Sequence, residues 1–220
     1  MNNFIKNKNL FDCKNKILEN FFDKFEYPWQ LILELKNLIQ NLILSGLKGY
    51  TEIEKGVFVG DNVNIHKSVV ILPPAIIGAN TEIRPNAYLR GNVIIGENCV
   101  IGNSTELKEC ILLNKVQVPH YNYVGNSVLG NYAHLGAGSI CSNLKADGKN
   151  VVIHGEKDYE TGLRKVGAFL GDFADVGCNC VLNPGTIVGK NSSIYPLTSV
   201  RGVIPENSIV KSMKEIVKRK

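Results

Sequence analysis

An aliphatic residue returns at every sixth position of this chain. Ile53, Val59, Ile65, Ile71, Ile77, Ile83, Leu89, Ile95, Ile101, Leu107 and Leu113 keep that spacing without a slip. Short polar or small residues lie between them, as in Val59-Gly-Asp-Asn-Val-Asn and Ile95-Gly-Glu-Asn-Cys-Val. Neither the turn of an α-helix nor the alternation of a strand has a period of six. That period fits short parallel strands stacked in a solenoid, with one aliphatic side chain per repeat filling a central column. The expected fold class is therefore mainly β, a parallel β-helix of hexapeptide repeats.

Three stretches depart from the period. Residues 1–50 carry helical spacing instead: Ile17, Leu18, Phe21, Phe22 and Phe25, then Leu31, Leu35, Leu38, Ile39 and Leu42 after Pro28. Proline suits a first helical turn, and Gly46 and Gly49 stop the second helix. The expectation is an N-terminal helical hairpin that covers the open end of the solenoid. The repeat domain spans 51–210. Its register shifts after Leu113, since Val118, Val124 and Leu129 follow at five, six and five residues, and it breaks over 142–166. An insertion in a stacked core is expected to protrude, with Val151-Val-Ile153 as a strand of its own. The repeat resumes at Leu170, Val176, Leu182, Val188, Ile194 and Val200. Long irregular loops serve function more often than packing, so the chemistry is expected between about residues 82 and 166. Residues 211–220 form a basic tail, read as a short C-terminal helix.

Composition removes several classes of function. No apolar run is long enough to span a membrane, and no small-residue cleavage site follows the N-terminal lysines, so a membrane or secretory role is not expected. The six cysteines fall mostly inside repeats and read as free thiols of a cytoplasmic protein. Cys178-Asn-Cys180 has no second half that would complete a zinc site, so no metal is expected. The net charge of +5 is modest and the tail has no interleaved aromatics, which argues against nucleic acid.

The hexads resemble the left-handed β-helix acyltransferase superfamily, and the left hand is carried over from that family. The strings Glu82-Ile-Arg-Pro-Asn-Ala, Ser104-Thr-Glu-Leu-Lys, Val118-Pro-His-Tyr-Asn-Tyr-Val-Gly and Leu135-Gly-Ala-Gly-Ser-Ile are similar to the acetyltransferase domain of the bifunctional N-acetylglucosamine-1-phosphate uridylyltransferase/glucosamine-1-phosphate acetyltransferases. Thr161-Gly-Leu-Arg-Lys-Val-Gly-Ala-Phe-Leu-Gly-Asp looks closer to the archaeal-type sugar-phosphate versions. The resemblance covers roughly residues 55–210. It implies acetyl-CoA-dependent N-acetylation of an amino-sugar phosphate by a homotrimer whose sites lie between β-helices. The uridylyltransferase half of that family has a glycine-rich, Arg-containing nucleotide loop. Residues 1–50 hold nothing of that kind, so nucleotidyl transfer is not expected from this chain.

The resemblance also assigns residues. An amine attacks a thioester only when deprotonated, and an imidazole titrates in the right range to take the proton. His120 matches the family's base, Glu106 the carboxylate beside it, and Asn143 the asparagine where the insertion begins. Arg84 and Lys108 match a phosphate-binding pair. They lie 24 residues apart, one coil plus one face, so one chain holds them on adjacent faces. Tyr123 matches a sugar-contacting tyrosine, and Lys149 competes with Lys145 as a further ligand. His134 stands where the family usually has asparagine, which leaves the identity of the sugar open. Ala137 within Gly136-Ala-Gly138, Cys178, Lys190 and Lys211 are the cofactor candidates. Each assignment has a bland counterpart: a loop histidine, surface charges paired with Glu82 or Glu109, a tyrosine plugging the register shift, glycines that only permit a tight corner.

Two other readings differ in class. The chain could be a non-catalytic trimerising or regulatory module serving a separate sugar nucleotidyltransferase. A zinc-dependent β-helix carbonic anhydrase needs three histidines, and His66, His120, His134 and His154 show no close pairing in sequence.

Overall fold

Each hexad makes one short strand and one turn, and three hexads close a coil: Val57 pairs with Ala75, and Ala75 with Val93, in parallel register. The computed structural model describes residues 3–15 and 17–219. Met1, Asn2, Lys16 and Lys220, which the domain boundaries above include, lie outside those residues. Stacking the coils gives three sheets, A and B of nine strands and C of seven. Sheet A contains Ala75–Ile77 and Val93–Ile95, sheet B Glu82–Ile83 and Val100–Asn103, and sheet C Tyr88–Arg90 and Glu106–Lys108. The result is the parallel β-solenoid that the period implies. Among the described residues no helix is long and apolar enough to cross a membrane.

The turns explain the polar half of the repeat. Where A passes to B, Asn62, Asn80, Asn98, Asn191 and Asn207 all have φ between 54 and 58°. Asparagine tolerates this left-handed backbone because its short side chain can bond locally. The inward column is one buried cluster from Ile77 through Ile83, Leu89, Ile95, Ile101 and Leu107. It continues through Leu112, not Leu113 as the spacing suggested. The coil there is one residue shorter, since Val93 pairs with Cys110, and Leu113 turns outward into a second cluster. Ile53, expected to open the column, belongs to an antiparallel strand, Thr51–Glu54, and is exposed.

The second cluster corrects the expectation for the N-terminal segment. Sheet A carries apolar residues on both faces: Ile76, Ile94, Ile111, Val128, Phe169 and Ile187 point away from the column and are fully buried. They share a cluster with Leu18, Phe22, Trp29, Leu31, Leu35 and Ile39. The N-terminal segment therefore lies along the flank of the solenoid, not over its open end. The hairpin of two helices is also not found. The first run contains a single helical turn, Glu19–Phe22, and only Pro28–Leu44 is a long helix. Proline disfavours helix at the residue before it, which separates the two. At the helix start the Gln30 side-chain oxygen accepts from the Tyr27 backbone N–H at 2.8 Å.

The insertion leaves the solenoid, with residues 144–150 and 154–158 largely exposed, but it also docks on the flank. It forms an antiparallel hairpin, Val152–His154 with Asp158–Glu160, and Val151, Ile153 and Val166 bury into the same flank cluster. Tyr159 packs against Tyr27 and Trp29, with ring centroids 5.7 and 6.1 Å apart. The tail is not helical either. Ser208–Ser212 and Glu215–Lys218 pair as antiparallel strands that close the last coil of sheet B. Ile209, Val210, Ile216 and Val217 are β-branched, and the last parallel strand offers an edge to pair with.

Candidate active site

Two features of the solenoid collect most of the candidate residues: the outer face of sheet C, and the edge where sheet B turns into sheet C. On sheet C, parallel register stacks Tyr88, Glu106 and Tyr123 in one outward row. Two residues further along each strand, Leu72, Arg90, Lys108 and Gly125 form a second row. Arg90 and Lys108 are thus one coil apart and side by side.

The second row does not contain Arg84, the cation matched with Lys108 in the sequence. Arg84 sits beside sheet B, where its guanidinium pairs with Glu82 at 3.0 Å. It does not share a face with Lys108, as the 24-residue spacing required. Arg90 does, and a search at 18 residues, one full coil, would have found it. Both stacked cations are balanced by carboxylates. Arg90 meets Glu106 at 2.6 Å and Lys108 meets Glu109 at 3.0 Å. Glu106 is therefore engaged with Arg90, and the His120 ring makes no hydrogen bond or ion pair to a described residue. Lys108 is mostly buried, its side chain 16% exposed.

Beside these rows a hydrogen-bonded chain reaches the insertion. Asn143 Nδ2 donates to Asn126 Oδ1 at 2.7 Å and lies 3.2 Å from the Tyr123 hydroxyl. Asn126 Nδ2 donates to Glu109 Oε2 at 2.6 Å. Burial alone would raise the Glu109 carboxyl, but hydrogen bonds from Lys108 and Asn126 and the charges of Lys108 and Lys165 hold it below its ordinary range. Burial, reinforced by Glu106, pushes the Tyr123 phenol above its usual value, so it stays a neutral hydrogen-bonding group. Glu109, Asn126 and Arg90 were not singled out by the sequence. Lys149 is exposed in the loop, where its backbone N–H bonds Asp147 at 3.0 Å. Lys145 is tied to Asp147 at 3.3 Å.

Along the edge from B to C, successive coils present His120, the Gly136-Ala-Gly138 turn, and Cys178-Asn179. The Gly138 N–H donates to the His120 carbonyl at 3.0 Å, and the Asn179 N–H to the Ala137 carbonyl at 2.8 Å. A side chain at Gly136 would meet the Cys178 backbone nitrogen at 2.6 Å, so the glycine is required for the coils to approach. The Gly136 and Gly138 N–H groups are engaged with the carbonyls of Val176 and His120; among the described residues the Ala137 N–H has no such partner. Lys211 ends the same edge, paired with Glu215. Lys190 does not belong there. It lies where A turns into B and pairs at 3.0 Å with the buried carboxylate of Asp172. His134 projects from sheet B with its Nδ1 2.7 Å from Asp175. Among the described residues no three His, Cys, Asp or Glu side chains come together in a metal-holding group.

The thiols divide by burial. Desolvation pushes Cys99 and Cys141 up to about 12 and Cys110 higher still, whereas Cys178 is exposed. A disulfide reagent near neutral pH is expected to modify Cys178 in the native protein and Cys99, Cys110 and Cys141 only after unfolding, because the thiolate is the reacting form. Mass mapping of the labelled peptides checks this, and early labelling of Cys141 would contradict the packed column.

A family model described as the GMPPB C-terminal domain matches residues 71–158, and one described as the bacterial transferase hexapeptide (six repeats) matches residues 50–91. The bifunctional sugar-1-phosphate nucleotidylyltransferase/acetyltransferase of Sulfurisphaera tokodaii is 34% identical over 200 residues, covering 84% of this chain and 48% of that protein. The bifunctional protein GlmU of Methanococcus maripaludis is 32% identical over 206 residues, covering 91% of this chain and 49% of that protein. The chain spans about half the length of the curated relatives it matches. Among solved structures, AntD, an N-acyltransferase from Bacillus cereus in complex with dTDP and 3-hydroxybutyryl-CoA, overlays loosely, with a TM-score of 0.39 at 14% identity over 79% of this chain and 92% of that chain.

Proposed function

This chain is a hexapeptide-repeat β-solenoid homologous to about half the length of the bifunctional sugar-1-phosphate nucleotidylyltransferase/acetyltransferases, and from that premise we propose that it N-acetylates a hexosamine 1-phosphate with acetyl-CoA. The observation that carries the reading is a division of labour across one corner. Cations lie on sheet C, and an imidazole with an unpartnered backbone N–H lies on the adjoining edge.

A strand of sheet C is about 7 Å from its first to its third residue, roughly the width of a hexose. A sugar laid across it puts its phosphate on Arg90 and Lys108, its ring against Tyr123 and Asn143, and its amine toward His120. Phosphate then competes with Glu106 for Arg90, which leaves that carboxylate free beside Tyr123 and within reach of the edge. The thioester lies along the edge, past Ala137 and Cys178, with its charged end toward Lys211. Four coils separate His120 from Lys211, about 19 Å at ordinary strand spacing. The amine nitrogen bonds to the thioester carbonyl carbon and its proton passes to His120. The oxygen charge that develops is met by the Ala137 N–H. The carbon–sulfur bond breaks, and the departing thiolate takes the proton back from His120. No covalent enzyme intermediate is required. His134 projects from sheet B, so it reaches a sugar on sheet C only from a neighbouring copy, as a homotrimer provides. Exposed Val70, Ile140 and Val181 on sheet C, and Tyr121 and Leu197 on the edge, suit such a contact.

Release of free thiol from acetyl-CoA, with glucosamine 1-phosphate and galactosamine 1-phosphate as acceptors, tests the reading. Turnover with neither would leave the non-catalytic module. Arg90→Ala is expected to raise KM for the sugar phosphate about tenfold to a hundredfold, the worth of charge-assisted hydrogen bonds. Arg84→Ala should change it less than about threefold, and neither should move KM for acetyl-CoA. The reverse order would put the phosphate on sheet B.

A further inference from the structure

The insertion is anchored at its neck, and the anchor is built from the same side chains that flank the cation row. On the outgoing side Asn143 donates to Asn126; on the returning side the Val166 N–H bonds the Asn143 carbonyl at 3.0 Å and the Gly167 N–H bonds the Asn126 carbonyl at 2.8 Å. Leu144 and Lys165 form an antiparallel bridge across the neck. The seat is close: a side chain at Gly167 would fall 2.0 Å from the Gly125 carbonyl oxygen. One at Gly125 would fall 2.5 Å from the Tyr123 hydroxyl and 2.8 Å from Asn143 Nδ2. The missing side chain at Gly125 thus opens the slot in which Tyr123 and Asn143 meet, and the one at Gly167 lets the returning chain seat against Gly125 and Asn126.

Glu109 closes this network from below. One carboxylate oxygen holds Lys108 at 3.0 Å and the other accepts from Asn126 at 2.6 Å. Its backbone has φ 47°, left-handed, directly beneath Asn126 at φ 49°. Lys115, Tyr132 and Leu197 adopt the same left-handed backbone at other corners, so the turn by itself does not set Glu109 apart; its two side-chain contacts do. Asn126 is itself 4% exposed, so its amide has few partners other than Glu109 and Asn143.

We infer that Glu109 is a positioning residue: through one oxygen it fixes Lys108, and through the other it orients Asn126, Asn143 and the neck of the insertion, so that the phosphate end and the sugar end of the site are held by one carboxylate. Its kinetic consequence rests on the acetyl-transfer reading, but the structural one does not.

Three variants separate the possibilities. Glu109→Ala removes both contacts. Glu109→Gln keeps an oxygen for the Asn126 amide. Asn126→Gly cuts the chain above Glu109 without straining the left-handed backbone. Wild type and variants are compared for KM of the sugar 1-phosphate, KM of acetyl-CoA, kcat, melting temperature, and amide hydrogen exchange over residues 143–150. Glu109→Ala and Asn126→Gly are expected to raise KM for the sugar phosphate about tenfold, leave KM for acetyl-CoA unchanged, and speed exchange at the neck, while Glu109→Gln, which keeps the Asn126 contact and loses the charge on Lys108, raises that KM about threefold and leaves the exchange as in wild type. A role confined to the turn would lower the melting temperature without splitting the two KM values, and that result overturns the inference. A lower KM in both Glu109 variants also overturns it, since Glu109 would then only compete with phosphate for Lys108. If the wild type acetylates no amino-sugar phosphate, the acetyl-transfer reading falls and the exchange data alone decide: faster exchange in Glu109→Ala and Asn126→Gly upholds the network, and unchanged exchange removes it.

Discussion

Replacing His120 with alanine is expected to slow acetyl transfer about a hundredfold to ten-thousandfold, the usual worth of a positioned general base. The fold should not notice. His120 is exposed at the end of its strand, Gln117–His120, and its ring bonds to no described residue, so nothing buried loses a partner. The backbone groups of His120 that bond Asn122 and Gly138 survive the change. Single-turnover kinetics and a thermal melt, run on the same preparation, give the two readouts. A variant that retains wild-type kcat would move the proton acceptor away from residue 120. His134→Ala is the comparison to make beside it, because Asp175 holds that imidazole at 2.7 Å and gives it the more ordered environment. A ligand role for His134 predicts a change in KM, and a base role predicts a fall in kcat.

The second large effect is on stability. Phe169→Ala is expected to cost about 3–5 kcal/mol, the range for emptying an aromatic site in a packed core. Phe169 is fully buried, not in the inward column but in the flank cluster with Trp29, Leu31 and Leu35. That loss is a large share of the roughly 5–15 kcal/mol by which a domain is stable. Urea denaturation measures it, with Leu44→Ala as the control, since Leu44 is 84% exposed and its truncation should stay within about 0.5 kcal/mol. A loss below about 1 kcal/mol for Phe169→Ala would mean that the N-terminal helix does not seal sheet A. The same experiment decides between the two placements of that helix, because an end cap would leave Phe169 on a solvent face.

Both predictions depend on information that entered at different levels. The six-residue period is local: each hexad repeats the same instruction, so a coil, its inward aliphatic column and its polar turns are readable from any stretch of it. The helix Pro28–Leu44 announced itself in the same way, through spacing and a proline in its first turn. The flank cluster was also written in the chain. Triplets such as Val93-Ile-Ile95 and Ala168-Phe-Leu170 put an apolar residue outward as well as inward, once per coil along sheet A. A period-six reading watches only the inward residue and passes over its neighbour.

The site shows where sequence reasoning stops. His120 and Tyr123 were singled out because one motif string carries both, and Asn143 because it stands where the insertion begins; the structure sets the Gly-Ala-Gly turn on the same edge as His120. Arg84, Glu106 and Lys190 were placed by the same kind of matching, but their partners are Glu82, Arg90 and Asp172. Charge pairing is settled in three dimensions: Arg84 meets Glu82 two residues back in its own coil, Arg90 meets Glu106 diagonally across one coil, and Lys190 meets Asp172 one coil below.

The sequence alone determined the solenoid and its core, because a short repeat encodes local geometry that each coil copies from the last. Tertiary structure alone decided which edge each functional residue occupies, which carboxylate balances which cation, and where the helix and the insertion dock. The physical reason is cumulative register. Coils of 17 residues at Val93–Cys110 and Ile111–Val128, and a step of 41 at Val128–Phe169, displace everything that follows, and no count in multiples of six can follow them.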